Sequence, residues 1–246
     1  MASREYHQII SQALHQDIPR WNFAARVSRR AFDALCSLAG IVLLAPLFVI
    51  ITLAIKFDDG GPVFYFQDRV GKGLRRFRVI KFRSMFANCA GGSLLTARHD
   101  ARITRVGRIL RKYKLDELPQ LVNVLKGDMQ LVGVRPQVEK FVALFRDEYE
   151  ELLQTPPGIT SIASLSFRNE ERLMQESSNE ENYISKILPI KLEMLLNYSR
   201  TRTFLSDLEI IFRTVLCMQS PASAMKNGGN DSAARAMSKI ISGNLT

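Results

Sequence analysis

The chain has 246 residues, 46% of them hydrophobic and 24% charged, with a net charge of +10. This is ordinary for a folded protein and leaves room for one soluble domain plus a membrane segment. The positive balance calls for anionic partners, among which composition alone does not choose: nucleic acid, acidic lipid and phosphorylated small molecules all fit. Cys36, Cys89 and Cys217 are odd in number and far apart, with no CxxC, which argues against a disulfide framework and for thiols in a reducing compartment. The histidines are His7, His15 and His99, and no Cys or His cluster points to zinc.

Residues 1–30 read as an amphipathic or flexible segment, with Arg4, Arg20, Arg26, Arg29 and Arg30 against Glu5 and Asp17. Ala34–Ile55 follows, 22 residues without a charge. That length suffices to cross a bilayer core of ~30 Å. The run begins too far into the chain for an ordinary signal peptide, and no convincing cleavage site follows it. A plain transmembrane helix is one reading, and two details oppose it. Pro46 stands in the middle, where proline kinks or breaks a helix. The arm before it, 12 residues at 1.5 Å each, reaches only ~18 Å. Both flanks are basic, and Lys and Arg beside membrane segments favour the cytoplasm. A re-entrant helix over 31–56, broken at Pro46, returns both flanks to that side and sets Arg29, Arg30 and Lys56 among anionic headgroups.

Residues 57–218 read as one soluble domain without an internal repeat. DDGGP at 58–62 signals a turn, and Val63–Gln67 and Phe77–Phe82 read as two strands around VGKGLRR. Ala87–Gly92 is a predicted loop. Ile103, Val106, Leu110 and Tyr113 recur at helical spacing and predict a helix over 101–113, with Arg102, Arg105, Arg108 and Lys112 on its other faces, solvated or in contact with phosphate. A second helix is predicted over 118–125, with Asp116 as N-cap, Pro119 in its first turn and Gly127 as its stop. TPPGIT at 155–160 is a predicted turn. Ile184–Tyr198 and Phe204–Met218 read as amphipathic helices, and residues 219–246 as a mobile tail rich in Ser, Ala, Gly and Asn. The fold class is therefore α/β in the α+β sense: a small, mostly helical domain with a short β-hairpin behind a re-entrant helix.

Residues 57–130 hold 15 Lys and Arg against 7 Asp and Glu. Inside this positive field lies the pair Asp116-Glu117. Most acids at a helix start cap it and pair with its dipole. Here cations and a helix N-terminus would keep a carboxylate ionised. An ionised carboxylate can attack phosphorus and form an acyl phosphate. Its neighbour can help hold Mg²⁺, which takes oxygen ligands and bridges to substrate phosphates. Lys81, Arg83, Arg111 and Arg135 are the candidates to balance phosphate charge, Arg residues by bidentate grip. Phe64, Tyr65, Phe66, Phe77, Phe82 and Phe86 could stack on bases in a nucleic-acid binder, but their strand-like spacing fits core packing better.

These segments resemble the bacterial sugar transferases, the monotopic phosphoglycosyl transferases, in their minimal catalytic form. The resemblance runs from near Arg29 to about Leu216. It rests on the membrane run with Pro46, on GPVFYFQDRVGKGLRRFRVIKFRSM at 61–85, and on LTARHDARITRVGRILRKYKLDELPQLVNVLKGDMQLVGVRP at 94–136. PPGIT at 156–160 and DLEIIFRT at 207–214 complete it. The resemblance implies Asp116 as the nucleophile that becomes the phospho-sugar ester, and Glu117 as a support for Mg²⁺ and the chemistry. It implies Arg111 as a phosphate contact, Arg135-Pro136 near the nucleotide, and Lys81 and Arg83 near the same site. It makes the helix break at Pro46 re-entrant.

The implied partners are a UDP-sugar, undecaprenyl phosphate and anionic lipid at the cytoplasmic face of a bacterial inner membrane, with a homodimer left open and no nucleic acid. Ala45 stands where many members have Ser, Val134 where many have Pro, and SIASLSFRNEERL after PPGIT replaces a Gly-rich sequence, which bears on the sugar or acceptor pocket. A catalytically silent membrane scaffold on the same fold is the alternative; the intact acid pair speaks against it. The sugar and the glycan pathway are not legible.

Overall fold

The computed structural model describes residues 23–86, 100–167, 181 and 183–219. Helix α1 (Phe23–Leu43) meets helix α2 (Ala45–Asp59) across Leu44, and the two axes bend by 60°. Pro46 lies in the first turn of α2. It has no N–H for the carbonyl four residues back, so one rung of the ladder is missing. The rungs on either side survive: Leu44 N–H donates to Gly40 at 2.9 Å and Phe48 N–H to Leu44 at 2.9 Å. Among the described residues no single helix is long and apolar enough to cross a membrane; only the bent pair, taken together, meets the length and composition.

The start of α1 corrects one expectation. Arg29 and Arg30 are tied into the protein itself. Arg29 pairs with Asp207 at 2.7 Å, and Arg30 donates to the carbonyls of Val124 (2.5 Å) and Leu125 (2.7 Å). A buried acid and carbonyls in the last turn of a helix hold them instead.

Strands β1 (Phe64–Val70) and β2 (Arg76–Phe82) form the expected antiparallel hairpin, with Tyr65 opposite Lys81 and Arg69 opposite Phe77. β1 runs three residues further than predicted, because Lys72–Leu74 closes the reversal as a single tight turn with Gly73 at φ 61°. Helix α3 (Arg105–Lys112) is shorter than predicted. Thr104 caps it, its Oγ1 accepting from Gly107 N–H at 2.9 Å, and Asp58 Oδ2 accepts from Val106 N–H at 3.0 Å. A Cβ on Gly107 would fall 2.0 Å from the Ser84 carbonyl oxygen, so only glycine lets α3 lie against the chain leaving β2.

A one-turn segment at Leu115–Glu117 leads into α4 (Gln120–Lys126), which Gly127 ends at φ 96°. There follow β3 (Gln130–Val132), α5 (Glu139–Leu144), α6 (Arg146–Leu152), β4 (Gly158–Thr160) and α7 (Ile162–Ser166). A wider turn at Tyr183–Ile187 opens into α8 (Leu188–Thr201), and α9 (Phe204–Gln219) follows. β4 pairs in parallel with β3, so the end of the predicted TPPGIT turn is a strand. Among the described residues the fold is mostly helical with two small sheets, as the α/β expectation has it. The predicted loop at 87–92 and the tail from 220 lie outside the described residues.

Three apolar clusters hold these parts. The largest joins α5, α6 and α8 through Phe141, Tyr149, Leu153, Leu188, Leu192 and Leu196. A second packs Ile51 and Ile55 of α2 on Phe82 of β2 and Leu110 of α3. A third sets Val79 of β2 on Val124 and Met129. Each fully buried side chain of this size contributes about 1.5–3 kcal/mol, so the second cluster fixes the hairpin and α3 firmly to the bent helix pair.

Candidate active site

The site is built where α3 ends. Its last residue is followed by Tyr113 and then by Lys114, which takes φ 57° in the left-handed region. That conformation costs a non-glycine residue about 1–3 kcal/mol and is found where surrounding structure enforces it. It reverses the chain so that Asp116 and Glu117 fall in a turn packed under β2, both buried. Asn123 of α4 locks this arrangement: its Nδ2 donates to Arg78 O at 2.7 Å, and its Oδ1 accepts from Ile80 N–H at 3.0 Å. The hairpin strand carrying Lys81 is thereby fixed relative to the acids. An asparagine inside a helix is a poor helix former, and that is the signal by which it could have been singled out.

The two carboxylates differ. Glu117 accepts a fork from Arg135, Nη1 to Oε2 at 3.0 Å and Nη2 to Oε1, and faces Lys81 Nζ at 3.5 Å. Burial works against its charge, yet Arg135, Lys81 and Lys114 outweigh it and hold the carboxyl well below the usual range. Asp116 has an oxygen, Oδ1, that is buried without a hydrogen-bond partner. Burial, then the charge of Glu117, push its carboxyl up, against Lys81, Lys114 and Arg111. The cations thus keep Glu117 ionised, whereas for Asp116, the carboxylate expected to be held ionised for attack, burial prevails. Neither is the side-chain N-cap foreseen for Asp116, since α4 begins with Pro119 at the cap position and no side-chain cap bond. Burial depresses the Lys81 ammonium, with Glu117 opposing.

A cavity of about 360 Å³ opens beside this pair. Arg111, Lys114, Glu117, Arg135 and Pro136 line it; Asp116 lies next to it in the chain and is not among its lining residues. Of the predicted residues, Lys81, Arg111, Asp116, Glu117, Arg135 and Pro136 therefore gather at one place. Arg83 does not. β2 ends at Phe82, and Arg83 forks onto Asp59 at the end of α2, Nη1 to Oδ2 at 2.7 Å and Nη2 to Oδ1. Its guanidinium fills the space over Gly61, where a Cβ would lie 2.4 Å away, so it braces the helix pair and stands apart from the acids. Arg69, Lys114 and Lys191 are cavity cations that sequence reasoning missed. The hairpin register carried the signal for Arg69, because Tyr65, Gln67 and Arg69 alternate onto the face that Lys81 shares.

A Mg²⁺ ion commonly uses one or two carboxylates and completes its shell with water and substrate phosphate. Among the described residues no group of three or more acids, histidines or cysteines could cage a metal alone. The acid pair with the unpartnered Asp116 Oδ1 nevertheless offers a donor set of the open kind, and so fits.

Residues 24–220 match the family model described as bacterial sugar transferase. The exopolysaccharide production protein ExoY of Sinorhizobium fredii is 33% identical over 218 residues, covering 82% of this chain and 88% of its own. The UDP-N-acetylgalactosamine-undecaprenyl-phosphate N-acetylgalactosaminephosphotransferase of Aeromonas hydrophila is 37% identical over 189 residues, 72% of this chain and 44% of its own. The undecaprenyl-phosphate glucose phosphotransferase of Komagataeibacter xylinus is 36% identical over 197 residues, 77% and 35%. The chain thus spans nearly the whole of the first relative and less than half of the other two. On the extent of these matches the chain belongs to the bacterial sugar transferase family, and it is an enzyme of that class.

Proposed function

We propose that the chain transfers a phospho-sugar from a UDP-sugar to undecaprenyl phosphate, releasing UMP, through an ester on Asp116. The observation that carries this is the contrast within the acid pair: Glu117 is occupied by two cations, whereas Asp116 keeps an oxygen without a partner beside a cation-lined cavity. In the first step an Asp116 oxygen bonds to the phosphorus that bears the sugar. The bond from that phosphorus to the bridging oxygen breaks, and UMP leaves with the electron pair. In the second step an oxygen of undecaprenyl phosphate bonds to the same phosphorus, and Asp116 departs as carboxylate. Arg111, Lys114 and Lys81 offset the charge gathering on the transferring group. Arg135 holds Glu117 in place, and Pro136 forms the cavity wall where the nucleotide lies. Asp116 and Glu117 would hold Mg²⁺, which supplies Lewis-acid neutralisation of the diphosphate when bound.

The membrane reading rests on the helix pair. Residues 31–56 dip into the cytoplasmic leaflet of the inner membrane and return at Pro46, with residues 57–218 as the catalytic domain below and Lys56 at the anionic headgroups. Supporting this reading, Ile51 and Ile55 pack on Phe82 and Leu110 and so tie the helix pair to the strand and helix beside the acid pair. The reaction would open the assembly of an exopolysaccharide, O-antigen, capsule or other glycoconjugate, on one chain or a pair. The experiment is UMP release by the purified chain in lipid nanodiscs with undecaprenyl phosphate, across a panel of UDP-sugars. At least one sugar should give UMP, and intact-mass analysis should show a phospho-sugar adduct that Asp116→Asn lacks. Full activity of that variant would refute the nucleophile.

A further inference from the structure

The cations around the acid pair and the adjoining cavity are not placed alike. Lys81, Lys114 and Arg111 act on Asp116. Lys81 also feels Arg69, but the largest neighbours of Arg69 itself are Arg135, Tyr65, Glu117 and Tyr183. Its hydrogen bonds go to neutral acceptors. Nε and Nη2 donate to Gln67 Oε1 at 3.2 and 2.7 Å, and Nη1 donates to the Pro136 carbonyl at 3.4 Å. Gln67 is two residues back on the same face of β1, so strand and side chain together fix the plane of the guanidinium. Three of five N–H donors are used and two remain, the number a phosphate takes in a bidentate contact.

Burial, then the nearby Arg135, lower the Arg69 pKa to about 10, which still leaves it charged at neutral pH. A partly buried cation whose hydrogen bonds all go to neutral acceptors, beside a Glu117 already engaged by Arg135 and Lys81, gains from an arriving anion. Arg135 does not supply that anion's contact as freely, because Glu117 takes its fork.

We propose that Arg69 receives the phosphate of the departing nucleotide, while Lys81, Lys114 and Arg111 serve the phosphorus that moves. Arg69 donates to the Pro136 carbonyl, and both line the cavity that adjoins the acid pair, so a diphosphate with one phosphorus beside Asp116 has its other phosphate within that cavity's reach of Arg69. This rests on the reading of the donor as a UDP-sugar, and it makes Arg69 a binding residue for UMP.

The test compares UMP with uridine, which differ by the phosphate alone, by titration calorimetry on the purified chain in nanodiscs. The wild type should bind UMP more tightly than uridine. In Arg69→Gln that advantage should shrink about 10-fold or more, the worth of a charge-assisted contact. Arg69→Lys, which keeps the charge without the fork, should recover part of it. If Arg69 merely staples β1 to the Pro136 carbonyl, both ligands weaken alike and the ratio stays at the wild-type value, which overturns the proposal. Failure of both variants to fold overturns it too. A wild type that binds no UMP overturns the nucleotide reading along with it.

Discussion

Of the three aspartates buried among the described residues, Asp116 at 7% exposure and Asp207 at 6% have surroundings that could hardly differ more. Asp207, in the first turn of α9, has both oxygens occupied. Oδ1 accepts from Tyr198 at 2.6 Å and Arg202 Nε at 2.9 Å, and Oδ2 from Arg29 at 2.7 Å and Arg202 Nη2 at 3.0 Å. Arg202 also reaches the Val132 carbonyl at 2.6 Å, so this one carboxylate joins α1, β3, α8 and α9. Asp116 keeps an oxygen with no partner. Burial and proximity to arginine are common to both clusters. What separates a brace from a reactive group is whether the carboxylate has bonding capacity left over.

That comparison predicts opposite consequences for the same substitution. Asp116→Asn should reduce UMP release by roughly 10⁴-fold or more, the scale seen when a covalent nucleophile is removed. Its thermal unfolding midpoint should hold or rise, since a buried charge lacking a full set of partners becomes neutral. Asp207→Asn should cost about 3–5 kcal/mol of stability, as breaking a buried pair leaves Arg29 and Arg202 without their counter-charge. UMP release per folded molecule should stay near wild type. Unfolding in detergent micelles and single-turnover assays on the two variants give both numbers. A stable Asp207→Asn would show that the brace contributes nothing.

Glu117→Gln falls between these cases. It withdraws the counter-charge from Arg135 and Lys81, and so should lower both properties: activity by roughly 10²–10³-fold, of the order of one lost electrostatic contact, and stability by a smaller amount. Turnover and melting measured on one preparation decide the matter. A change in turnover alone would mean that Glu117 touches only the reacting atoms.

The sequence carried the break at Pro46, the hairpin and the acid pair, because each depends on local rules: a missing N–H, a period of two, a run of charged residues around two acids. It also brought Lys81, Arg111 and Arg135 toward the acids through the family resemblance. It did not carry Arg83's attachment to Asp59, since an ion pair across 24 positions is set by tertiary packing and not by local pattern. Nor did it show that Arg29 meets Asp207, 178 positions away, or that Gly158–Thr160 pairs with Gln130–Val132, because such contacts are fixed by tertiary packing. The left-handed Lys114 was hidden for a related reason: only the enclosing structure can hold a lysine there.

The smallest effect lies in pH, where the two adjacent acids pull in opposite directions. The carboxyl of Glu117 is held below its ordinary 4.5, so its contribution to stability is present above that value and is lost as pH falls through the depressed one. The carboxyl of Asp116 is pushed above its ordinary 3.8, chiefly by burial, so its contribution is present below 3.8 and is lost as pH rises through the raised value. The same ionisation creates the nucleophile. Activity should therefore climb with pH over the interval in which Asp116 weakens the fold, and the acid limb of kcat/KM should sit above that of an ordinary aspartate. Unfolding midpoints of wild type and Asp116→Asn, measured across that interval, should diverge in favour of the variant as pH rises. An acid limb near 3.8, with parallel stability curves, would mean that nearby cations outweigh burial at Asp116 as they do at Glu117.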